Sequence, residues 1–185
     1  MGFFDKFKKK PESPKLSENE AFYEIFSFIS EKDPAVSAET DRCLTEPKSF
    51  AKSHENDFIE RCVHIDKAED NELKWLGCTD ILIRNGYACE LDYSCELSDF
   101  IFSVNGLKAL KTNGIKLCEE DFDESGDITQ WLAQNRELQA CGMCFGAVDI
   151  DSDSYVIFAV KSEKLEKLKE LAKISGHRID HAYLM

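Results

Sequence analysis

The residues best suited to chemistry fall in the last third of the chain. Cys141-Gly142-Met143-Cys144 has the C-x-x-C spacing of a redox dithiol or of half a zinc site. Thioredoxin-type reactivity needs such a pair at a helix N-terminus, where the dipole favours the thiolate. Here the pair follows a helical pattern and enters a strand pattern. Zinc would need two more ligands, and Cys89 and Cys95 supply them only if their strand lies beside the one from Met143. Asp149, Asp151 and Asp153 alternate just beyond, where carboxylates sharing a face would suit a hard cation or acid–base work. A solvated turn selects the same residue types.

Two further patterns invite a test. Asp121-Phe122-Asp123-Glu124-Ser125-Gly126-Asp127-Ile128-Thr129 follows the first part of an EF-hand calcium loop, but its twelfth position, normally a bidentate glutamate, is Leu132. A polar loop leading to a helix cap at Asp127 accounts for the same residues. His177 and His181 share a face of a predicted last strand, roughly 13 Å apart along it, which is too far for one metal ion. No nucleophile elbow, phosphate-binding loop, zinc-protease motif or dinucleotide fingerprint occurs. Trp75 and Trp131 lie in apolar periodic patterns, and burial explains them. No catalytic residue, metal or cofactor is assigned. Cys141, Cys144, Asp149, Asp151 and Asp153 stand as the candidates.

The elements that must position these residues are predicted from periodicity and caps. Ser17 and Glu20 form a capping-box pattern before Phe22, Ile25, Phe26 and Ile29, which are spaced as one helical face ending at Pro34. Residues 35–66 are polar, with a short helix expected after Pro47 near Phe50. A helix is expected from Glu69 to Arg84, closed by Asn85-Gly86. Tyr87–Tyr93 alternates as a strand with one wet face, Leu97–Lys111 reads as one helix, and Ile115–Cys118 as a short strand. Asp127 and Gln130 open a helix through Leu138. Met143–Ile150 and Ser154–Val160 form a hairpin around Asp151-Ser152-Asp153. A helix capped by Ser162 runs to Gly176, and His177–Leu184 reads as a final strand. The expected fold class is therefore α+β. A helical N-terminal half joins a mainly antiparallel sheet of four to five strands packed with helices. With 115–140 set aside as an insertion, residues 87–185 permit a ferredoxin-like βαββαβ order, and an ordinary α+β sandwich fits the pattern equally.

Size and charge bound the function. With 43% apolar residues and 13 Phe, the 185-residue chain can build a core without disulfides. Residues 1–15 carry five lysines against Asp5 and Glu12, a net of +3 within a total of −13, which leaves −16 on residues 16–185. Residues 1–15 are read as a flexible basic tail, capable of weak contact with an anionic membrane surface, and 16–185 as one domain. The acidic body disfavours nucleic acid and suits a basic protein partner. No apolar run reaches the roughly 18 residues of a membrane span. No secretory signal is seen, so the eight cysteines are expected to be reduced, mostly buried thiols in the cytoplasm.

Gly146-Ala147-Val148-Asp149-Ile150-Asp151-Ser152-Asp153-Ser154-Tyr155, followed by a strand and a Glu/Lys/Leu helix ending in glycine, resembles the C-terminal part of a small bacterial domain family of unknown function. The resemblance implies no catalytic residues. In size, acidity and α+β make-up such domains are similar to the immunity proteins that neutralise bacterial toxins, an analogy of form alone. The expectation is a non-catalytic protein-binding domain. The alternative is a metal- or cysteine-dependent hydrolase built from the candidates above.

Overall fold

The reciprocal cap at Ser17 sets the first helix. Glu20 N–H donates to Ser17 Oγ at 3.3 Å, and Ser17 N–H donates to the Glu20 carboxylate at 2.8 Å. In this computed structural model, which describes residues 16–185 apart from the side chains of Arg136 and Glu137, α1 spans Glu18–Ile29. The tail expected at 1–15 lies outside the described residues.

Asp33 caps α2 (Pro34–Thr45) by accepting from Ala35 N–H at 2.8 Å, with Pro34 in the first turn where its missing donor costs nothing. The polar stretch expected to hold one short helix holds more: α3 is Pro47–Ser53 and α4 is Glu55–Glu60. Ala51 and Phe58 are buried against Leu73 and Leu76 of α5 (Asp70–Arg84), and Phe50 joins the core that holds Cys43 and Trp75. Long-range burial thus makes helices where local periodicity was weak.

The chain then gives β1 (Ala88–Asp92), α6 (Leu97–Gly106) and α7 (Lys108–Thr112). The single helix expected over 97–111 breaks because Leu107 is extended and buried while Lys108 N–H bonds to the Gly86 carbonyl. The expected strand at Ile115–Cys118 is also absent. Ile115 and Leu117 do point inward, but Leu117 exchanges both backbone hydrogen bonds with the Asn105 side chain, at 2.8 and 2.9 Å. An amide side chain thus takes the place of a neighbouring strand.

After α8 (Ile128–Gln134) and α9 (Arg136–Ala140) come β2 (Met143–Val148), β3 (Ser154–Lys161), α10 (Ser162–Ile174) and β4 (Ile179–His181). The final strand is shorter than expected, because Ala182–Leu184 turns into a 3₁₀ helix. It also begins only at Ile179, so His177 lies before it.

The sheet is antiparallel with order β1-β3-β2-β4. The α+β class stands, but a ferredoxin-like order would put the last strand beside the first. Here β4 pairs with β2 instead, through Val148 opposite Ile179. Helices cover both faces. Val156, Phe158 and Val160 face a core with α1, α2, α5 and α10, while Ile157 and Ala159 face one with α6, α7 and α8. This is why Val156–Val160 reads as a continuous apolar run: each face of the strand is dry. No described helix is long and apolar enough to cross a membrane.

Candidate functional site

The β2–β3 turn is the meeting point of three clefts. One of about 510 Å³ is lined by Tyr93, Asp149, Asp153 and Tyr155. A second, about 590 Å³, lies against Arg61, His64, Glu90 and Asp151. A third, about 530 Å³, lies against Glu72, Trp75, Asp151, His177 and Arg178. The turn is built locally and fastened from afar. Asp149 Oδ1 accepts from Asp151 N–H at 3.0 Å, and Ser152 Oγ accepts from Ser154 N–H at 3.1 Å. Asp151 has φ +55°, a left-handed conformation that aspartate tolerates better than most residues. From outside, Trp75 Nε1–H donates to the Asp149 carbonyl at 2.6 Å, and Asp149 N–H donates to the Arg178 carbonyl.

The three aspartates therefore divide their work. The Asp149 carboxylate is taken up by the turn and faces Arg178 at 3.8 Å, whereas Asp151 and Asp153 are exposed at the tip. The strand does not carry Asp149 and Asp151 onto one face, because β2 ends at Val148.

The cysteines do not converge. Cys144 packs towards α1 and α10, on the opposite side of the sheet from Cys89 and Cys95. Moreover β1 pairs with β3, so it is not the neighbour of β2 that a shared zinc site required. Burial raises the Cys144 thiol, with a hydrogen bond to Ser162 opposing it. Burial likewise pushes Cys89 up to about 12. Cys141 is exposed after α9. The expectation of mostly buried thiols is too strong: Cys62, Cys118 and Cys141 are exposed, and only Cys43 and Cys78 are fully buried. Among the described residues no three His, Cys, Asp or Glu side chains cluster as a metal site.

The calcium-like loop resolves into turns and caps. Asp123 Oδ1 accepts from the Ser125 backbone N–H and hydroxyl, which holds its carboxyl below the usual range. Asp127 caps α8 through Gln130 N–H at 2.9 Å, and Leu132 is core. Only a 3₁₀ turn at Glu119–Asp121 precedes the loop, not an entering helix.

The charges that sequence reasoning missed lie around Arg61. Its guanidinium, at the end of α4, bonds to Asp80 of α5 at 2.6 Å and to Glu90 of β1 at 2.6 and 3.1 Å. Glu90 was expected on a wet face, and Arg61 covers it. Burial lowers the Arg61 pKa, but hydrogen bonds to Glu90 and Asp80 outweigh it and the net shift is upward. Burial pushes the Asp80 carboxyl up, with Arg61 opposing. The two shifts pull against each other, yet the pair is ionised, since a guanidinium keeps its proton and lies in direct contact. The second oxygen, Asp80 Oδ2, is buried without a hydrogen-bond partner among the described residues. No sequence signal marked these residues, because the partners stand 19 and 29 positions from Arg61.

A family model described as "Domain of unknown function (DUF6630)" matches residues 21–183. The chain belongs to this family. The DUF6630 match takes in both helical layers and every strand, far more than the hairpin region. No curated protein and no solved structure matches the chain significantly.

Proposed function

We propose that this DUF6630 chain is a non-catalytic cytoplasmic domain that docks a basic protein partner on the β2–β3 turn. The observation that carries the reading is the presentation of Asp151 and Asp153 at the turn tip, with Tyr93, 63% exposed, and Tyr155 lining one cleft with Asp153. Carboxylates attract a lysine or arginine, and a tyrosine face receives its cationic head. The charge of −16 on residues 16–185 adds long-range steering. The comparison with toxin-neutralising proteins is carried by size, acidity and α+β make-up alone. A reducing compartment is supported by the eight unbridged cysteines.

The hydrolase alternative finds less support. A nucleophilic cysteine needs a depressed pKa, whereas burial raises Cys144.

The test is calorimetric titration with an oligo-arginine peptide at low and high salt. Asp151→Lys with Asp153→Lys should weaken binding about tenfold, as expected when two close charge pairs are reversed. Glu119→Lys with Glu120→Lys, equal in charge change but outside the hairpin clefts, should cost much less. Equal losses from the two pairs would reject the turn as the docking site.

A further inference from the structure

His177 sits between three aromatic and polar contacts that fix its proton. Its ring lies parallel to Trp75 with centroids 4.2 Å apart and planes 2° apart, and Phe22 meets it edge-on at 5.6 Å. Its Nε2 is hydrogen-bonded to Asn71 Oδ1. The orientation of Asn71 is not free. Its Nδ2 donates to the Glu18 carboxylate at 2.8 Å and to the Ser175 carbonyl at 3.1 Å, both of which can only accept. Asn71 Oδ1 is therefore the acceptor, and His177 Nε2 must carry the proton. The neutral imidazole then keeps its lone pair on Nδ1, and no described group hydrogen-bonds to that nitrogen.

This ring lines the cleft of about 530 Å³ beside the turn, together with Glu72, Asp151 and Arg178. Arg178 is engaged, donating to the Leu184 carbonyl at 2.7 Å. Glu72 and Asp151 are exposed and make no ion pair among the described residues. The cleft is thus lined by an imidazole whose Nδ1 has no hydrogen-bond partner among the described residues, by two carboxylates and by an aromatic wall.

We propose that this cleft is the anchor pocket for one arginine side chain of the basic partner. The inference rests on the docking reading above and deepens it. A guanidinium presents several N–H donors in one plane, so it can bond to Nδ1 and to a carboxylate at once while lying against an aromatic edge. A lysine ammonium lacks that fork. Protonation of His177 would replace the acceptor with a donor and repel the guest. The charged groups facing the ring are Glu18 from α1, Glu72 from α5, Asp149 and Asp151 from the turn, and Arg178 beside it. Burial lowers the imidazole pKa despite Glu18 and Asp149, which keeps Nδ1 bare at neutral pH.

The experiment is a long-range ¹H–¹⁵N NMR titration of the histidine rings with N-acetyl-arginine amide, with N-acetyl-lysine amide as control. At neutral pH the His177 spectrum should show Nε2–H, and the arginine probe should move the Nδ1 resonance while the lysine probe moves it far less. His177→Phe keeps a flat ring but removes the acceptor, and should weaken the arginine probe about tenfold, the loss of one charge-assisted bond. Because that variant also leaves Asn71 Oδ1 without its donor, Glu72→Gln serves as the second arm, with about a threefold loss expected and no change in melting. A Nδ1–H tautomer overturns the inference whatever else binds. If oligo-arginine binds at the turn but His177 stays unmoved, the pocket is wrong and the docking reading survives. If neither probe nor peptide binds, both fall.

Discussion

Trp75 and Asp149 are 74 positions apart in the chain, yet the indole N–H of one donates to the backbone carbonyl of the other at 2.6 Å. That bond ties the β2–β3 turn to α5. It also places the indole where His177 stacks on it.

Trp75→Phe should therefore destabilise the domain by about 2 kcal/mol, combining a half-buried carbonyl left without its donor with lost packing. Urea denaturation measures the loss. Amide exchange at residues 150–153 should quicken more than at α6, and uniform quickening would count against a fastening role.

Arg61→Ala should cost about 3–5 kcal/mol, because it leaves Asp80 and Glu90 as close, poorly solvated carboxylates. Replacing Arg61, Asp80 and Glu90 together by Met, Leu and Leu should recover most of that stability. If the triple variant is no better than the single one, the cluster contributes more than charge compensation.

Stability should fall as pH drops below the ordinary histidine value of about 6.5. Burial lowers the folded-state pKa of His177, so between that value and 6.5 the unfolded chain binds the extra proton. The contribution is complete above the unfolded pKa and is lost as pH falls towards the folded one. Thermal melts over this range should show the slope in the native protein and a flatter one in His177→Gln. An identical slope would assign it to other groups.

Gly146→Ala should destabilise by about 1–3 kcal/mol. The added Cβ would stand 2.5 Å from Cζ of Phe158, its cross-strand partner, and 3.0 Å from Leu165. Both neighbours are fully buried, so neither can yield cheaply. Chemical denaturation reads the change, and an unaltered midpoint would mean that the layer relaxes.

A native thiol count with a large aromatic disulfide reagent should find Cys62, Cys118 and Cys141 fast. Cys43 and Cys78 should react only on unfolding, since both are wholly buried. Rapid modification of either would mean that α2 and α5 separate readily.

The features legible in the chain are those set within a few residues. The Ser17–Glu20 and Asp127–Gln130 caps, the α5 and α10 faces and the β2–β3 hairpin depend on neighbours three or four positions away, or on a tight turn. Where local signals erred, a distant group had taken over. Asn105 replaced a strand beside Leu117, Leu107 broke a periodic helix, and β4 joined β2 at the far edge from β1. Arg61 and Glu72 carried no mark, because a charged residue in a polar stretch looks the same whether or not it lines a cleft.

By itself the sequence determined the acidic balance, the α+β class and the aspartate-rich turn, since composition and short-range hydrogen bonding do not wait for the fold. Only the tertiary structure decided that Cys144 lies on the opposite face of the sheet from Cys89 and Cys95, and that the His177 ring lines a cleft. Those outcomes depend on strand order and on contacts between residues as far as 106 positions apart, such as Asn71 and His177. Such pairs are fixed when both sides of the sheet lose water together, and no local pattern encodes which distant partner that burial brings.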